Sequence, residues 1–357
     1  MKALLPAPVL ENTACPLCSC SDGSIVQKGV DNLCDVPGIF FVCRCRECRH
    51  LFMNPRPTAA TLNLCYPENY GPHLASPPAD RNNSAVSAAE SPWYLRLLPL
   101  RYIPGLKSLY LWLIDDKGQP LPRRPNDPDT TVAPRAVELG CSTGGYLSKL
   151  VDAGWTVVGV EPSETASEKA RELGFCVHTG VLDDVSLPQA SFDTAAAWMV
   201  IEHVFDPVTT LRQLFELLKP GGQLLFSVPN AGCWEPVVLR SAWYVWELPR
   251  HLHHFTPSKV REVLGTAGFA NVKIIHQKNV LNLIGSFGIL FGRLLLTRGL
   301  GKRLLRYPDA PNMWVQLAIS PLAHLMAICR QGGRLTITAE RPLTTSSNCS
   351  NAEDAKR

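Results

Sequence analysis

The chain has 357 residues, with 35 Lys and Arg against 31 Asp and Glu, for a net charge of +4. That length can bury a substantial core and fits two domains or one domain with additions. The near-balanced charge gives no case for nucleic acid as a partner of the whole chain. Thirteen cysteines behind a start broken by Pro6 and Pro8 read as thiols in a reducing, cytoplasmic setting, without a signal peptide. No run reaches the about 18 apolar residues that a spanning helix needs.

The first chemistry in chain order is a pair of CxxC motifs, Cys15-Pro16-Leu17-Cys18 and Cys45-Arg46-Glu47-Cys48. Each can place two thiolates on one side of a tight knuckle, and two knuckles complete a tetrahedral sulfur site for structural zinc. A region this small is short of apolar residues, so a metal clip would supply much of its folding energy. Ser19 and Arg49 stand where such a knuckle often has glycine, and Cys43 is the substitute ligand if one of the four is not used. Otherwise Cys43, like Cys20 and Cys34, reads as an ordinary thiol. Together with Asn54-Pro55-Arg56-Pro57 and Cys65-Tyr66-Pro67-Glu68-Asn69-Tyr70, this stretch resembles the zinc-ribbon module fused to the N-terminus of a subset of bacterial methyltransferases. The resemblance covers about residues 13–71 and implies a structural role, with the module helping to cover a substrate cleft.

Residues 72–134 read as linkers around an apolar segment. Gly71 to Pro92 and Lys117 to Pro134 are rich in proline and polar residues, while Trp93 to Ile114 is apolar and predicts one or two helices.

From residue 135 the pattern changes. Ala136-Val137-Glu138-Leu139 reads as a strand, Gly140-Cys141-Ser142-Thr143-Gly144-Gly145 as a glycine-rich turn, and Tyr146 onward as a helix. A second apolar strand, Trp155 to Val160, ends in Glu161. Strand, glycine turn, helix and acid-tipped strand make the nucleotide-binding half of a Rossmann-type sheet. Further on come Phe192-Asp193 opening a fourth strand, Ile201-Glu202-His203-Val204 at its tip, and Leu218-Lys219-Pro220-Gly221-Gly222 before a fifth. In this order and spacing the chain resembles the class I S-adenosyl-L-methionine-dependent methyltransferases over roughly residues 130–280. Ser142 departs from the family, whose turn often has a middle glycine. A dehydrogenase would instead need GxGxxG.

The resemblance implies a Rossmann-like α/β fold over residues 135–342. Its seven-stranded sheet would carry the zinc ribbon before it and a helical insertion, about 280–331, before the last strand. It implies that Glu138 orients the glycine loop or meets the cofactor's amino group, and that Gly140, Cys141, Ser142 and Gly144 let the backbone approach the methionine part. Glu161 takes the ribose hydroxyls, and Leu182 and Asp183 lie by the adenine.

Methyl transfer is an in-line displacement from a sulfonium, so the enzyme positions a nucleophile and, for a hydroxyl or carbon acid, removes its proton. Candidates for that work lie after the fourth and fifth strands: Glu202 and His203, and the run Arg250-His251-Leu252-His253-His254. His203 and His254 are the expected bases. Arg250 and His251 are the expected substrate contacts, with Glu247 an alternative partner for Arg250. Some relatives hold a divalent cation with E-x-x-E-H and another histidine. Met199 stands in place of the first carboxylate here, which speaks against a catalytic metal, although Glu202, His203 and one of His251, His253 or His254 could still supply three ligands.

Between the last two strands, Val272 to His276 and Arg334 to Ala339, lie about 55 residues where a turn would suffice. Leu281 to Leu296 and Trp314 to Cys329 are apolar, and the insertion carries Arg293, Arg298, Lys302, Arg303, Arg306 and Arg330 against the single acid Asp309. A lid broken into short helices by Pro308, Pro311 and Pro321 is expected. Peripheral membrane contact through 280–331 is the alternative. Residues 343–357 read as a disordered tail.

The expectation is therefore a cytoplasmic, or membrane-associated, S-adenosylmethionine-dependent methyltransferase with structural zinc. Its acceptor would be a small molecule, a sugar or a lipid-linked glycan, methylated on oxygen with a histidine base. The alternatives are C-methylation of a nucleotide-activated keto sugar and a non-catalytic SAM-binding scaffold. Glu138, Gly140, Gly144 and Glu161 speak against the scaffold, and no base-amine motif follows the fourth strand.

Overall fold

The computed structural model describes residues 6–67, 119–125, 132–309 and 312–343. The apolar segment expected at 93–114, the linker at 71–92 and the tail from 344 lie outside the described residues.

The N-terminal part is built from short antiparallel strands. β1 (Leu10–Glu11) pairs with β5 (Arg56–Pro57), while β2 (Gly23–Gly29), β3 (Phe40–Cys45) and β4 (Leu51–Met53) form a meander. Its core is completed from outside. Phe40, Val42 and Met53 pack with Trp243, Val245, Trp246, Leu248 and Leu252.

The main sheet begins at β6 (Arg135–Leu139). Then follow α1 (Gly145–Asp152), β7 (Thr156–Glu161), α2 (Glu164–Glu172), β8 (Cys176–Thr179), β9 (Phe192–Trp198), α3 (Pro207–Leu217) and β10 (Leu218–Pro229). After α4 (Glu235–Leu239) comes β11 (His253–His254), which leaves the main sheet and pairs with β4. α5 (Pro257–Thr266) and β12 (Ala270–His276) lead into the insertion, made of α6 (Leu281–Gly292), α7 (Arg298–Leu305) and α8 (Met313–Ile328). β13 (Arg334–Glu340) closes the fold.

The seven strands run in the order β8-β7-β6-β9-β10-β13-β12. β8, β7, β6, β9 and β10 are parallel, and β13 is antiparallel to both of its neighbours. Period-two alternation explains why the sheet is covered on both sides. Val137, Leu139, Ala195 and Ala197 face Leu211, Leu214, Val260 and Val263 of α3 and α5. Ala136, Ala196 and Trp198 face Tyr146, Leu147 and Leu150 of α1. The helices start where side chains can accept the orphan amides. Ser163 accepts from Ala166, Asp206 from Thr209 with Pro207 at the first position, and Thr256 from Lys259 ahead of Pro257.

One expectation about the insertion fails. Pro321 lies inside α8 without ending it. Packing of Ala323 and Met326 against Val280 and Leu283 outweighs the hydrogen bond that proline removes.

Candidate active site and cysteine knuckles

Strand polarity puts the carboxyl ends of β6, β7, β9 and β10 at one edge, where open α/β sheets bind ligands. The glycine turn there is held by the protein's own groups. The Gly140 amide donates to the Val160 carbonyl at 2.7 Å, and the backbone takes positive φ at Gly140 (+68°), Ser142 (+48°) and Gly144 (+86°). Ser142 thus adopts the conformation that a middle glycine would. Side chains fill the space beside the two glycines. A Cβ on Gly140 would collide with Val200, and one on Gly144 would lie 2.7 Å from the Phe175 ring. Cys141 is buried, its sulfur packed against Gly159.

Both oxygens of Glu161 are caught by backbone amides, Ser142 at 2.8 Å and Ser163 at 2.9 Å. Burial raises its pKa and those two hydrogen bonds pull it back, leaving it above the ordinary carboxylate value. Glu138 is treated differently. It is buried, its Oε2 meets no donor, and burial plus the neighbouring Glu161 charge hold its carboxyl well above the usual range. Leu182 is buried below the third strand's tip, whereas Asp183, expected at the adenine, is an exposed residue bonded to Gln213.

The other half of the edge gathers residues far apart in the chain. At the end of β9 the backbone turns sharply, with Met199 at φ +56°. Glu202 follows, fully buried, with no partner for either carboxylate oxygen, and burial pushes its pKa up to about 8. His203 Nδ1 lies 3.1 Å from the Arg250 carbonyl and 3.0 Å from the Tyr66 hydroxyl. A carbonyl only accepts, so Nδ1 carries the proton and Nε2 keeps its lone pair. His251 repeats the arrangement, with Nδ1 2.9 Å from the Val245 carbonyl and Nε2 3.4 Å from Glu247. The rings of His203 and His251 meet edge to face at 4.7 Å, and ligand atoms of Glu202, His203 and His251 all lie within 4.8 Å of one another. Burial drives His203 down to about 3, so its imidazole is neutral at physiological pH.

Two expected residues sit elsewhere. Arg250 is fully buried. Its guanidinium donates to both oxygens of Asp31 at 2.8 and 2.9 Å, to the Cys65 carbonyl at 3.1 Å and to Glu247 at 3.3 Å. It ties the N-terminal part to the sheet instead of facing a substrate. His254 is also buried, against the Trp246 ring at 4.8 Å, with neither nitrogen bonded, and burial holds it well below the ordinary histidine value. It lies in the interior where the N-terminal meander meets the sheet, with its ring 6.3 Å from that of His251. Tyr66, Asp31 and Glu247 complete this half of the site; Glu247 is the partner for Arg250 that the sequence offered, while no local pattern marked the roles of Tyr66 and Asp31.

The four knuckle cysteines converge. Cys15 and Cys48 sulfurs are 3.5 Å apart, as are those of Cys18 and Cys45, and all four lie within 4.8 Å of one another. Tetrahedral zinc with Zn–S bonds of about 2.3 Å needs sulfurs about 3.8 Å apart. The knuckles match bond for bond. The amide of Ser19 donates to the Cys15 carbonyl at 2.8 Å and that of Arg49 to the Cys45 carbonyl at 3.1 Å, with φ of +61° and +66°. These residues adopt the conformation that glycine usually supplies.

A family model described as "Methyltransferase domain" matches residues 105–274. The ubiquinone biosynthesis O-methyltransferase of Ralstonia nicotianae is 30% identical over 189 residues, which cover 50% of this chain and 78% of that protein. The chain belongs to the S-adenosylmethionine-dependent methyltransferases. A Mycolicibacterium smegmatis protein named "probable S-adenosylmethionine-dependent methyltransferase" is 30% identical over 138 residues, where this methyltransferase spans about half (51%) of its relative. Among solved structures, a SAM-dependent methyltransferase of Thermotoga maritima aligns at 18% identity with a TM-score of 0.41. That alignment covers 72% of this chain and 97% of the other.

The edge suits S-adenosylmethionine, whose ammonium and sulfonium are both cationic. Glu138 offers a buried carboxyl oxygen that no donor among the described residues meets, beside the glycine turn, and Glu161 keeps lone pairs beyond its two amide bonds.

Proposed function

We propose that this methyltransferase transfers the methyl group of S-adenosylmethionine to an oxygen of a small-molecule acceptor, a class that includes sugars and lipid-linked glycans. One observation carries the reading. A cofactor edge built on Glu138 and Glu161 is continued along the same sheet by the polar cluster Glu202, His203 and His251. The O-methyltransferase names of several relatives support oxygen as the acceptor atom. The acceptor hydroxyl binds beside the cluster and gives its proton to His203 Nε2 or to the Glu202 carboxylate, whose raised pKa is better matched to neutral pH. The bound cofactor supplies the electrophilic methyl. The protein orients the acceptor and excludes water. We further assign structural zinc to Cys15, Cys18, Cys45 and Cys48.

A second reading of the same cluster is favoured by its ligand geometry. Both histidines fix Nδ1 on backbone carbonyls, an outer-shell arrangement usual for metal ligands, although His251 Nε2 also faces Glu247 at 3.4 Å. A divalent cation held by Glu202, His203 and His251 would polarise the acceptor hydroxyl in place of a base.

The test is titration of the zinc-loaded protein with S-adenosylhomocysteine, paired with methyl transfer from labelled SAM to small-molecule and lipid extracts, with and without added Mg²⁺ or Mn²⁺. Micromolar binding lost in Glu138→Gln, with label appearing on oxygen, supports the reading. Absence of binding by the folded protein rejects it. Activity that depends on added cation selects the metal-assisted form.

A further inference from the structure

The insertion leaves three consecutive leucines in water. Leu294, Leu295 and Leu296 form the corner between α6 and α7 and are 55%, 88% and 101% exposed, and Leu300 on α7 is 49% exposed. Single exposed leucines are ordinary; a contiguous set marks an interaction surface. The corner is held outward. Gly301 of α7 lies so close to α6 that a Cβ there would meet the Gly292 backbone and come within 2.8 Å of the Gly288 carbonyl. At its base, Arg293 donates twice to Ser241, both at 2.9 Å.

The charge around the corner has one sign. Arg298, Lys302, Arg303 and Arg306 are exposed, and among the described residues none of them pairs with a carboxylate. Arg298 and Lys302 stand four apart on α7, where like charges repel unless an anion lies between them. No helix of the described residues is long and apolar enough to cross a membrane, so contact would be with a surface.

We propose that this corner docks the enzyme on an anionic bilayer. Leu294, Leu295, Leu296 and Leu300 enter the boundary between headgroups and acyl chains, and Arg298, Lys302, Arg303 and Arg306 meet lipid phosphates. Charge decides the occupant. A face with six cations and one acid between residues 281 and 330 repels a second copy of itself and matches an anionic surface. The proposal rests on this surface alone and holds whichever acceptor is methylated.

The experiment is sedimentation of the full chain with vesicles of phosphatidylcholine, alone or with roughly 30% phosphatidylserine. The double variants L295E/L296E and K302E/R303E are compared with wild type. Wild type binds the anionic vesicles, binds the neutral ones at least about tenfold more weakly, and is released in roughly 0.5 M salt. Each double variant loses at least about tenfold in binding, while its S-adenosylhomocysteine affinity, which reports the fold, stays unchanged. The proposal is overturned by any of three results: failure of wild type to bind anionic vesicles, wild-type binding retained by both variants, or light scattering that shows a dimer abolished by L295E/L296E. Because the readout is vesicle binding, it can fail while methyl transfer stands, and the reverse.

Discussion

Glu161 and Glu202 occupy equivalent places, each at the tip of a parallel strand on the same sheet edge, and the protein treats them in opposite ways. Glu161 receives two backbone amides, one from Ser163 just after it and one from Ser142 in the glycine turn after β6. Glu202 receives nothing, though it is fully buried. The part of the edge proposed for the cofactor is thus finished by backbone amides, whereas the part proposed for the acceptor holds a buried carboxyl among side chains brought from residues 66, 203, 247 and 251. Burying a carboxylate without donors is costly, and such sites gather where chemistry is done.

The strongest way to break this comparison is through the knuckles. Cys45→Ser should lose zinc and unfold the N-terminal part, since structural zinc contributes about 10 kcal/mol or more of apparent folding energy. Methyl transfer should vanish while S-adenosylhomocysteine binding persists, because only the acceptor half leans on that part. Metal analysis, calorimetry and the activity assay together check this. Next is the tie itself. Arg250→Ala leaves Asp31 buried without its cation and should cost about 3–5 kcal/mol in denaturant unfolding. The double variant Arg250→Met, Asp31→Leu should recover much of that loss.

On the cofactor side, Glu161→Ala removes two charge-assisted bonds. It should cost about 3 kcal/mol and abolish S-adenosylhomocysteine binding. Glu235 lies between the two extremes. Its Oε2 accepts from the Trp243 indole at 2.8 Å, its Oε1 has no donor, and burial lifts its pKa from 4.5 to about 7. In that window the folded protein keeps a proton that the unfolded chain releases, so this group makes stability fall as pH rises from about 4.5 to about 7. Glu235→Gln should flatten the pH–stability curve there by up to about 3 kcal/mol, read from urea melts across the range. Glu202→Gln should leave stability unchanged at low pH, because no hydrogen bond is lost, and raise it near neutral pH, where the buried carboxyl's raised pKa costs the folded state. The same variant should lower the rate of methyl transfer about a hundredfold or more. A large loss of stability would show that Glu202 is structural and would remove the contrast with Glu161.

The cofactor half was legible because its chemistry is local: Glu138, the glycine turn and Glu161 fall within two dozen residues. The knuckles were legible for the same reason, and the positive φ at Ser19 and Arg49 shows that the position, not the glycine, defines them. The acceptor half was not legible. Arg250 and Asp31 are 219 residues apart, so although the sequence offers Glu247 as a nearby partner for the arginine, nothing local reveals the bidentate pairing with Asp31. His254 looked like a base by residue type alone, and only packing against Trp246 reveals its burial. Pro321 misled for a related reason, since local propensity cannot register the tertiary contacts that carry α8 past it.

β11 lends two residues to the N-terminal meander, where His253 pairs with Phe52 and His254 with Leu51. On the ribosome, β4 therefore waits with an open edge until some two hundred further residues have emerged. An unpaired strand edge is a template for pairing with other chains. Early metal capture by the cysteines would keep the nascent segment compact over that interval, and an isolated N-terminal fragment would carry the same bare edge permanently and tend to aggregate.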